Sequence, residues 1–418
     1  MDYLNHLLPP PLYSKAAKGL AIFASYVVLC RALRYLRRNR RHAQYPYKTR
    51  QDFSKMTAEH AYEIVEYCMS LEFPFVATKS LEFALFRTYG IPTISKLLCQ
   101  TQQLSEEKYA ARRYADTNIL IGEFLSHSPT SDRANAAISR MNYIHGRYQK
   151  AGKISNDDLL YTLALFVLEV DRWIGLYEWR SLTPMEVCAF GTHWKSVGDA
   201  MGISYEDLAH GPNSFKDGCE FYEDIKEWSE AYEKKQMVPD SYNHKLAEET
   251  TRILLVNVPS IAVPYLKPVV TTLMDDRLRL AMMYEKPHTI YPRLLFSFLE
   301  LRRLFIKYFM LPRPYYFRRS YLSDDADPKT GRYYRMIYQS EPWYVKPTFW
   351  ARIEPFSLYR WITGRAYPDG KRFKPEGYAI FEVGPANLEK KGQEECSETY
   401  ERLMNSSRGG CPFAHVKA

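Results

Sequence analysis

Two neighbouring segments of this 418-residue chain carry an arginine, a threonine and a histidine whose spacing favours a shared site. Arg113 and Thr117 are four residues apart and are therefore neighbours on one face of a helix. A buried imidazole is costly unless it binds a metal or forms a hydrogen bond. The next helix contains one histidine, His145, on an otherwise apolar stripe. The stripe consists of Ala134, Ile138, Met141, His145 and Tyr148.

The linker between the two segments, SHSPTSD, predicts a short turn followed by a new helix. Pro129 lies in this turn, and Ser131 or Asp132 offers an N-cap for the second helix. Helices joined by so short a connection pack as antiparallel neighbours, so their polar side chains can line one pocket. The alternative is structural: a core histidine with an internal hydrogen bond, and an arginine paired with Glu106 or Asp116 of its own helix.

Composition restricts the class of protein. The chain has 57 Lys and Arg against 48 Asp and Glu, a net charge of +9. Six arginines lie between Arg31 and Arg41, so the excess is local and argues against nucleic acid as a partner. Seven cysteines without CxxC spacing indicate reduced thiols, and argue against a zinc site or a disulfide framework. Walker, dinucleotide-binding and HExxH motifs are absent from the sequence.

The N-terminal region is typical of a membrane anchor. The apolar run 19–30 has basic residues at both ends whose long side chains reach the interface, so residues 16–36 serve as a transmembrane span. The basic cluster after the span predicts a short lumenal segment, 1–15, and a cytosolic body. Residues 37–50 then form a basic linker. A helix lying on the membrane surface is the alternative interpretation.

Helical patterns dominate the body, and the predicted fold class is all-α. We expect a single large helical domain at 51–311 and an irregular C-terminal extension, 312–418, packed on it. A helix after Thr183 has a capping box with Glu186 and a stop at Gly202. Two C-terminal segments, YYRMIYQ and GYAIFEV, favour short strands.

The segment 293–314, RLLFSFLELRRLFIKYFMLPRP, is apolar, aromatic and basic. Interfacial helices that touch a bilayer have this composition, so a second membrane contact is one interpretation. The other is a buried core helix that ends at Pro312.

The sequence resembles a known oxygenase family, the one that groups fungal MpaB with bacterial latex-clearing proteins. The similarity is carried by RRYADTNILIGEFL, NYIHGRYQ and DDLLYTLALFV, and by flanking segments such as LEFPFVATKSLEFALFRTYGIPTISKLL, WKSVGDAMGIS and the ending CPFAH. It covers most of the chain, including the anchor. The resemblance implies an oxygenase of secondary metabolism that cleaves a C=C bond in a lipophilic, prenylated or terpenoid substrate. It also implies single-pass attachment to the endoplasmic reticulum membrane, with the body facing the cytosol.

The resemblance also implies roles for the three residues. In the latex-clearing relatives the matching histidine is the axial ligand of haem b, so His145 is expected to bind haem iron, with dioxygen as co-substrate. Arg113 and Thr117 match the Arg-x-x-x-Thr pair beside the haem. They are expected to act in catalysis, Arg113 as a positive donor near dioxygen or the developing carbonyl and Thr117 as a hydrogen-bond donor. Asp116 stands where those relatives have an iron-capping lysine, which would place an acid close to the iron. The glutamate that serves as base in the relatives has no assigned match here.

Two alternatives remain open at the level of sequence. A non-haem iron site could combine His127, His145 and His193 with a carboxylate, since each lies near a predicted helix. A non-enzymatic, membrane-anchored helical adaptor is the rival from a different class. The expected partners are a lipophilic small molecule and membrane lipid, and no obligate protein partner is inferred.

Overall fold

The computed structural model describes residues 10–414, with side chains from residue 15 onward, and this part of the chain is all-α as predicted. Residues 1–9 of the predicted lumenal segment lie outside the described residues. The helices are α1 (Pro10–Ala43), α2 (Ala58–Tyr67), α3 (Pro74–Thr88), α4 (Pro92–Gln100), α5 (Glu107–Ser126), α6 (Asp132–Lys150), α7 (Asn156–Tyr177), α8 (Pro184–Met201), α9 (Gly218–Gln236), α10 (Ser241–Leu254), α11 (Val263–Thr272), α12 (Asp276–Ala281), α13 (Ile290–Phe309), α14 (Phe349–Ile353), α15 (Pro355–Ile362) and α16 (Gln393–Met404). Single 3₁₀ or π turns lie at Arg50–Lys55, Cys68–Glu72, Ser260–Ala262, Tyr315–Phe317, Ile380–Glu382 and Ala386–Leu388.

Local capping sets where the central helices begin and end. Ser131 accepts the backbone N–H of Ala134 at 3.2 Å, which starts α6 at the predicted place. Thr183 and Glu186 exchange hydrogen bonds of 3.4 and 2.8 Å across the first turn of α8, so the predicted capping box is confirmed. Gly202 ends α8 with φ +70°, the left-handed conformation that glycine adopts without strain.

The centre of the body is formed by α7 and α8. α3 and α9 pack on α7, and α2, α6 and α9 pack on α8, so α8 is buried on nearly every side. α8 and α9 touch through their backbones: a Cβ atom on Gly191 would lie 2.0 Å from the carbonyl oxygen of Gly218. A larger residue at either glycine would therefore force the two helices apart.

The anchor helix α1 is longer than predicted at both ends, because it includes residues 10–15, which the sequence assigns to the lumenal segment, and residues 37–43, which it assigns to a linker. Within the described residues it is the one helix long and apolar enough to cross a membrane, and its apolar stretch is almost entirely exposed. Its last turns join the body, since Arg37 forms a 2.5 Å ion pair with the buried Glu72.

The helix α13 is amphipathic and peripheral. It ends at Phe309 and has no buried residue, so the interpretation of a core helix ending at Pro312 is wrong. It packs instead against α1, α11 and the end of α7.

The C-terminal extension wraps the helical body. Buried Arg140 on α6 donates to three of its carbonyl oxygens, those of Val383, Leu388 and Lys391, at 2.7–2.8 Å. These bonds hold an irregular segment against α6 and give each of the three guanidinium nitrogens a backbone oxygen as acceptor.

The two predicted C-terminal strands do not form in the described part of the chain. A single antiparallel bridge joins Tyr333 to Tyr378, one residue from each segment. Gly377 has φ +87° and Ile380–Glu382 is a 3₁₀ turn, so the extended backbone between them is too short to make a ladder.

Candidate active site

A cavity of about 510 Å³ lies inside the helical body, and its wall contains Arg113, Thr117 and His145. The structure therefore brings the three predicted residues together. They come from adjacent helices, because α5 and α6 are joined by five residues and pack along their lengths. Most of the remaining wall is aliphatic or aromatic, and the volume is typical of a small-molecule site.

Arg113 and Thr117 hold each other in place on α5. Arg113 Nη1 donates to Thr117 Oγ1 at 2.6 Å, and Thr117 Oγ1 donates to the carbonyl oxygen of Arg113 at 2.9 Å. A hydroxyl has only one proton, so Thr117 cannot also donate to a ligand while this bond is made. In this geometry Thr117 positions the guanidinium, which differs from the donor role that the sequence suggests.

Arg113 has no acidic partner in the described part of the chain. The acids that the structural interpretation offered it are engaged elsewhere: Asp116 faces Arg112 at 3.8 Å, and Glu106 pairs with Lys245 at 3.4 Å. The interpretation of Arg113 as a surface ion pair is therefore wrong. An unpaired guanidinium beside an apolar cavity is suited to attract an anion or a carbonyl oxygen.

His145 is a neutral imidazole with a free nitrogen. Its Nδ1 atom is buried and has no hydrogen-bond partner. Burial, together with the positive charge of Arg113, lowers the pKa of this ring to about 4. At neutral pH the ring therefore carries a lone pair, which is the form that binds metals. Nε2 of the buried His193 is also without a partner, but His145 is the one that lines the cavity, where its free nitrogen is available to a ligand.

The other two histidines of the proposed non-haem site lie outside the cavity wall. His127 Nδ1 is 2.8 Å from the carbonyl oxygen of Glu123, on the same helix. His193 is buried with its ring 5.7 Å from that of Trp194, and burial lowers its pKa to about 3. The non-haem histidine site suggested by the sequence is thus not assembled.

One other group could suit a metal, away from the cavity. Among the described residues, ligand atoms of Cys188, Asp217 and Cys219 lie within 4.8 Å of one another. The carboxylate of Asp217 already accepts the N–H groups of Cys219 and Glu220 at 2.8 and 3.1 Å, and forms an ion pair with Arg50. These bonds identify Asp217 as the N-cap of α9, a structural role.

Asp116 does not contribute to the cavity wall, contrary to the expectation of an acid close to the iron. It is fully buried, and its Oδ1 accepts a 2.7 Å hydrogen bond from Tyr344 of the C-terminal extension. Burial raises the pKa of this carboxyl to about 6, although Tyr344 and Arg112 both favour the charged form. Asp116 precedes Thr117 by one residue, and a helix turns 100° per residue, so the two side chains face different neighbours.

Two carboxylates that the sequence did not single out line the cavity, Glu82 and Asp158. Glu82 pairs with Lys79 at 2.8 Å and accepts a hydrogen bond from Gln339, far along the chain. Asp158 accepts a 2.7 Å hydrogen bond from Thr93. In the sequence Glu82 looks like an ordinary surface pair and Asp158 like a helix cap, so only tertiary packing reveals their position.

Comparison with known proteins places the chain in a family of oxygenases. Residues 103–304, which include all three residues, match the family described as ER-bound oxygenase mpaB/B'/Rubber oxygenase, catalytic domain. The chain is 41% identical to the ER-bound oxygenase mpaB' of Penicillium brevicompactum over 97% of this chain and 99% of that protein. It is 38% identical to the ER-bound oxygenase mpaB of the same fungus, over 88% and 91%. It is 45% identical to the ER-bound oxygenase mpaB of Penicillium roqueforti (strain FM164), over 66% and 91%.

The helical body with its internal cavity, behind an N-terminal apolar helix, is thus the fold of an oxygenase family whose relatives are named ER-bound. The chain belongs to the mpaB and rubber oxygenase family.

Proposed function

We propose that this protein is a membrane-tethered, haem-dependent oxygenase that cleaves a C=C bond in a lipophilic, prenylated or terpenoid substrate. The observation that carries the proposal is His145: a neutral imidazole with an unpartnered buried nitrogen in the wall of an apolar cavity. A non-enzymatic adaptor needs no unpartnered imidazole in a cavity wall, and among the described residues His145 is the one histidine that lines this cavity.

The residues of the cavity fit haem b. A neutral imidazole is available to hold the iron, and the surrounding aliphatic and aromatic wall suits an apolar macrocycle. When bound, haem iron would supply the place at which dioxygen is activated. The protein's contribution is to fix the ligand, keep water out and position charge.

Arg113 would supply positive charge where oxygen acquires negative charge. The guanidinium forms no ion pair with a carboxylate in the described structure, so its donors remain available to a ligand in the cavity. The bond from Arg113 to Thr117 fixes its direction before the reaction, which avoids reorganisation during it. Thr117 is accordingly a positioning residue.

The apolar cavity favours an alkene that carries a hydrocarbon chain. The overall reaction is balanced without a further reductant: the C=C bond breaks, and each carbon receives one atom of dioxygen to become a carbonyl. A wall of large apolar side chains excludes water from this change.

The membrane setting agrees with such a substrate. We propose a single-pass protein of the endoplasmic reticulum membrane whose body faces the cytosol, because the relatives are named ER-bound and the basic cluster follows the apolar span. A role in secondary metabolism is part of the same proposal.

Incubation of the purified full-length protein with prenylated phenols and terpenoid alkenes under ¹⁸O₂ tests the proposed reaction. We expect two carbonyl fragments for each alkene consumed. After reduction to alcohols, which prevents exchange with water, each fragment should contain one ¹⁸O atom. Products labelled from water, or an epoxide or alcohol as the sole product, would contradict cleavage by dioxygen.

A further inference from the structure

The outward face of α13 is a continuous apolar stripe. Leu294, Phe298, Leu301 and Phe305 follow one another at helical spacing, and each is more than half exposed, from 56% to 66%. Single exposed apolar residues are ordinary, but four large ones in one row mark a surface that contacts another apolar phase.

An adjacent face of α13, about 100° around the helix from this stripe, lines the cavity. Leu295 and Leu299 line it from the inner side of this helix. The neighbouring helix α11 is arranged in the same way, with Val270 in the cavity wall and Tyr265 67% exposed. Only one helix layer therefore separates the cavity from the exterior on this side.

The cavity reaches the surface beside α13. Phe75 lines the cavity and is also 53% exposed, so this ring marks a place where the wall reaches the surface; the exposed Lys153 marks another. The guanidinium of Arg302 lies 5.0 Å from the centre of the ring, and donates to the carbonyl oxygen of Tyr177 at 3.1 Å and to Glu178 at 2.9 Å. The rim is thus fixed by α13 on one side and the end of α7 on the other.

The same helix contacts the apolar part of the anchor. Tyr26 donates to the carbonyl oxygen of Phe309 at 2.9 Å, and the rings of Phe23 and Phe309 are 5.6 Å apart. Phe23 lies eight residues before Arg31, which is about 12 Å along a helix. Tyr308, one residue earlier on α13, lies beside Arg31, with the guanidinium carbon 5.4 Å from the centre of its ring. If α1 spans a bilayer with Arg31 at its surface, the last turn of α13 therefore lies at that surface and reaches below it.

The charge of α13 agrees with a phospholipid neighbour. The helix has four basic residues and one acidic residue. Arg302 pairs with Glu178 and Arg303 with Glu300, so Arg293 and Lys307 carry the positive charge that is left for a phospholipid headgroup. Basic residues around an apolar stripe are typical of helices that lie in the interface of an anionic leaflet.

We propose that α11 and α13 are immersed in the cytosolic leaflet of the membrane that α1 spans, and that the lipophilic substrate passes laterally from the bilayer into the cavity between Phe75 and α13. Immersion is inferred from the contacts and the exposed side chains of these helices and does not depend on the proposed function. The lateral passage rests on the proposed function, because it concerns the substrate.

Spin labels on the full-length protein in phosphatidylcholine–phosphatidylserine vesicles test the immersed surface. One label replaces Leu301, and the matched label replaces Glu398 on the polar helix α16; both residues are exposed. Cys411 is changed to serine in both, since the other six cysteines are buried. The label at 301 should be relaxed by dissolved oxygen and shielded from a water-soluble nickel complex, and the label at 398 should show the reverse.

Nickel access at 301 equal to that at 398 would overturn the proposal. Shielding of 301 from both reagents would also overturn it, because that result means that a second copy or another protein covers the stripe.

A vesicle-borne fatty acid that carries a diazirine tests the lateral passage. We compare the parent with Leu301→Asp combined with Phe305→Asp, and with Glu394→Lys combined with Glu398→Lys as the control; all retain α1. The aspartates should lower photolabelling of cavity peptides several-fold when the probe starts in vesicles, and leave it unchanged when the probe is in detergent micelles. Equal photolabelling of the parent and the aspartate variant from vesicles would overturn the proposed lateral passage of the substrate. Photolabelling requires neither haem nor turnover, so a negative result in this experiment can be distinguished from a failure of the proposed reaction.

Discussion

Thr117 both accepts a hydrogen bond from the guanidinium of Arg113, at 2.6 Å, and donates its own proton to the carbonyl oxygen of Arg113, at 2.9 Å. This closed arrangement fixes an unpaired positive charge beside the cavity that also contains His145. The two residues therefore act as a unit, in which one carries the charge and the other sets its direction.

Replacement of Thr117 by valine keeps the shape of the side chain and removes the hydroxyl. We expect unchanged haem content and a loss of turnover of about ten-fold, the scale of one hydrogen bond to a charged group. Thr162→Val is the matched control, because Thr162 also lines the cavity and donates to a carbonyl four residues back, at 2.8 Å. Equal losses in the two variants would show that the bond to Arg113 has no special role.

Replacement of Arg113 by alanine removes the charge itself. Turnover should fall by roughly 10²-fold or more, as expected when one oriented electrostatic donor is removed. The thermal midpoint should change little, since no ion pair is lost. Arg147→Ala, an exposed position on α6, is the control. Full turnover of Arg113→Ala with its haem intact would place the reaction elsewhere.

The pKa of His145 predicts how the protein responds to acid. Burial lowers this pKa to about 4 in the folded protein, so the unfolded chain, with a normal value of about 6.5, takes up the proton first. The contribution of the neutral ring to stability is therefore present above pH 6.5 and is lost as the pH falls towards 4.

Thermal unfolding of the haem-free protein from pH 7.5 to 4.5 measures this effect. The parent should lose more stability over that range than His145→Ala, and His193→Ala tests the second buried ring, whose pKa burial lowers to about 3. Identical pH dependence of the parent and His145→Ala would contradict a His145 that stays neutral in the folded protein.

Asp116→Asn should stabilise the protein at neutral pH. Burial raises the pKa of Asp116 to about 6, so folding at pH 7 must retain a charge in a buried place. Removing that charge should add about 1–3 kcal/mol to the free energy of unfolding at pH 7 and less at pH 5, where the folded carboxyl is already largely protonated. Denaturant unfolding at the two pH values gives this difference. A loss of stability at both would mean that the hydrogen bond from Tyr344 outweighs the buried charge.

The start of each helix could be predicted from the sequence where the signal is local. Ser131 and the pair Thr183–Glu186 cap their helices as expected, because an N-cap needs only residues within one turn. The cluster of Arg113, Thr117 and His145 could be predicted for a similar reason, since the two helices are joined by five residues.

Features that depend on distant segments could not be predicted. Whether His127 and His193 face the cavity depends on the rotation of their helices against several neighbours. Asp116 is turned towards Tyr344, which is 228 residues away in the chain. The predicted strands had suitable composition, but Gly377 and the 3₁₀ turn after it leave no room for a ladder.

The haem content of the full-length protein, measured from its Soret absorption and by pyridine haemochromogen assay, tests most directly whether His145 is the haem ligand. We predict stoichiometric haem in the parent and in His127→Ala, whose imidazole lies outside the cavity wall. We predict loss of haem in His145→Ala, with helical content preserved. Stoichiometric haem in His145→Ala, or a colourless parent purified with haem supplied, would contradict the assignment of His145 as the haem ligand.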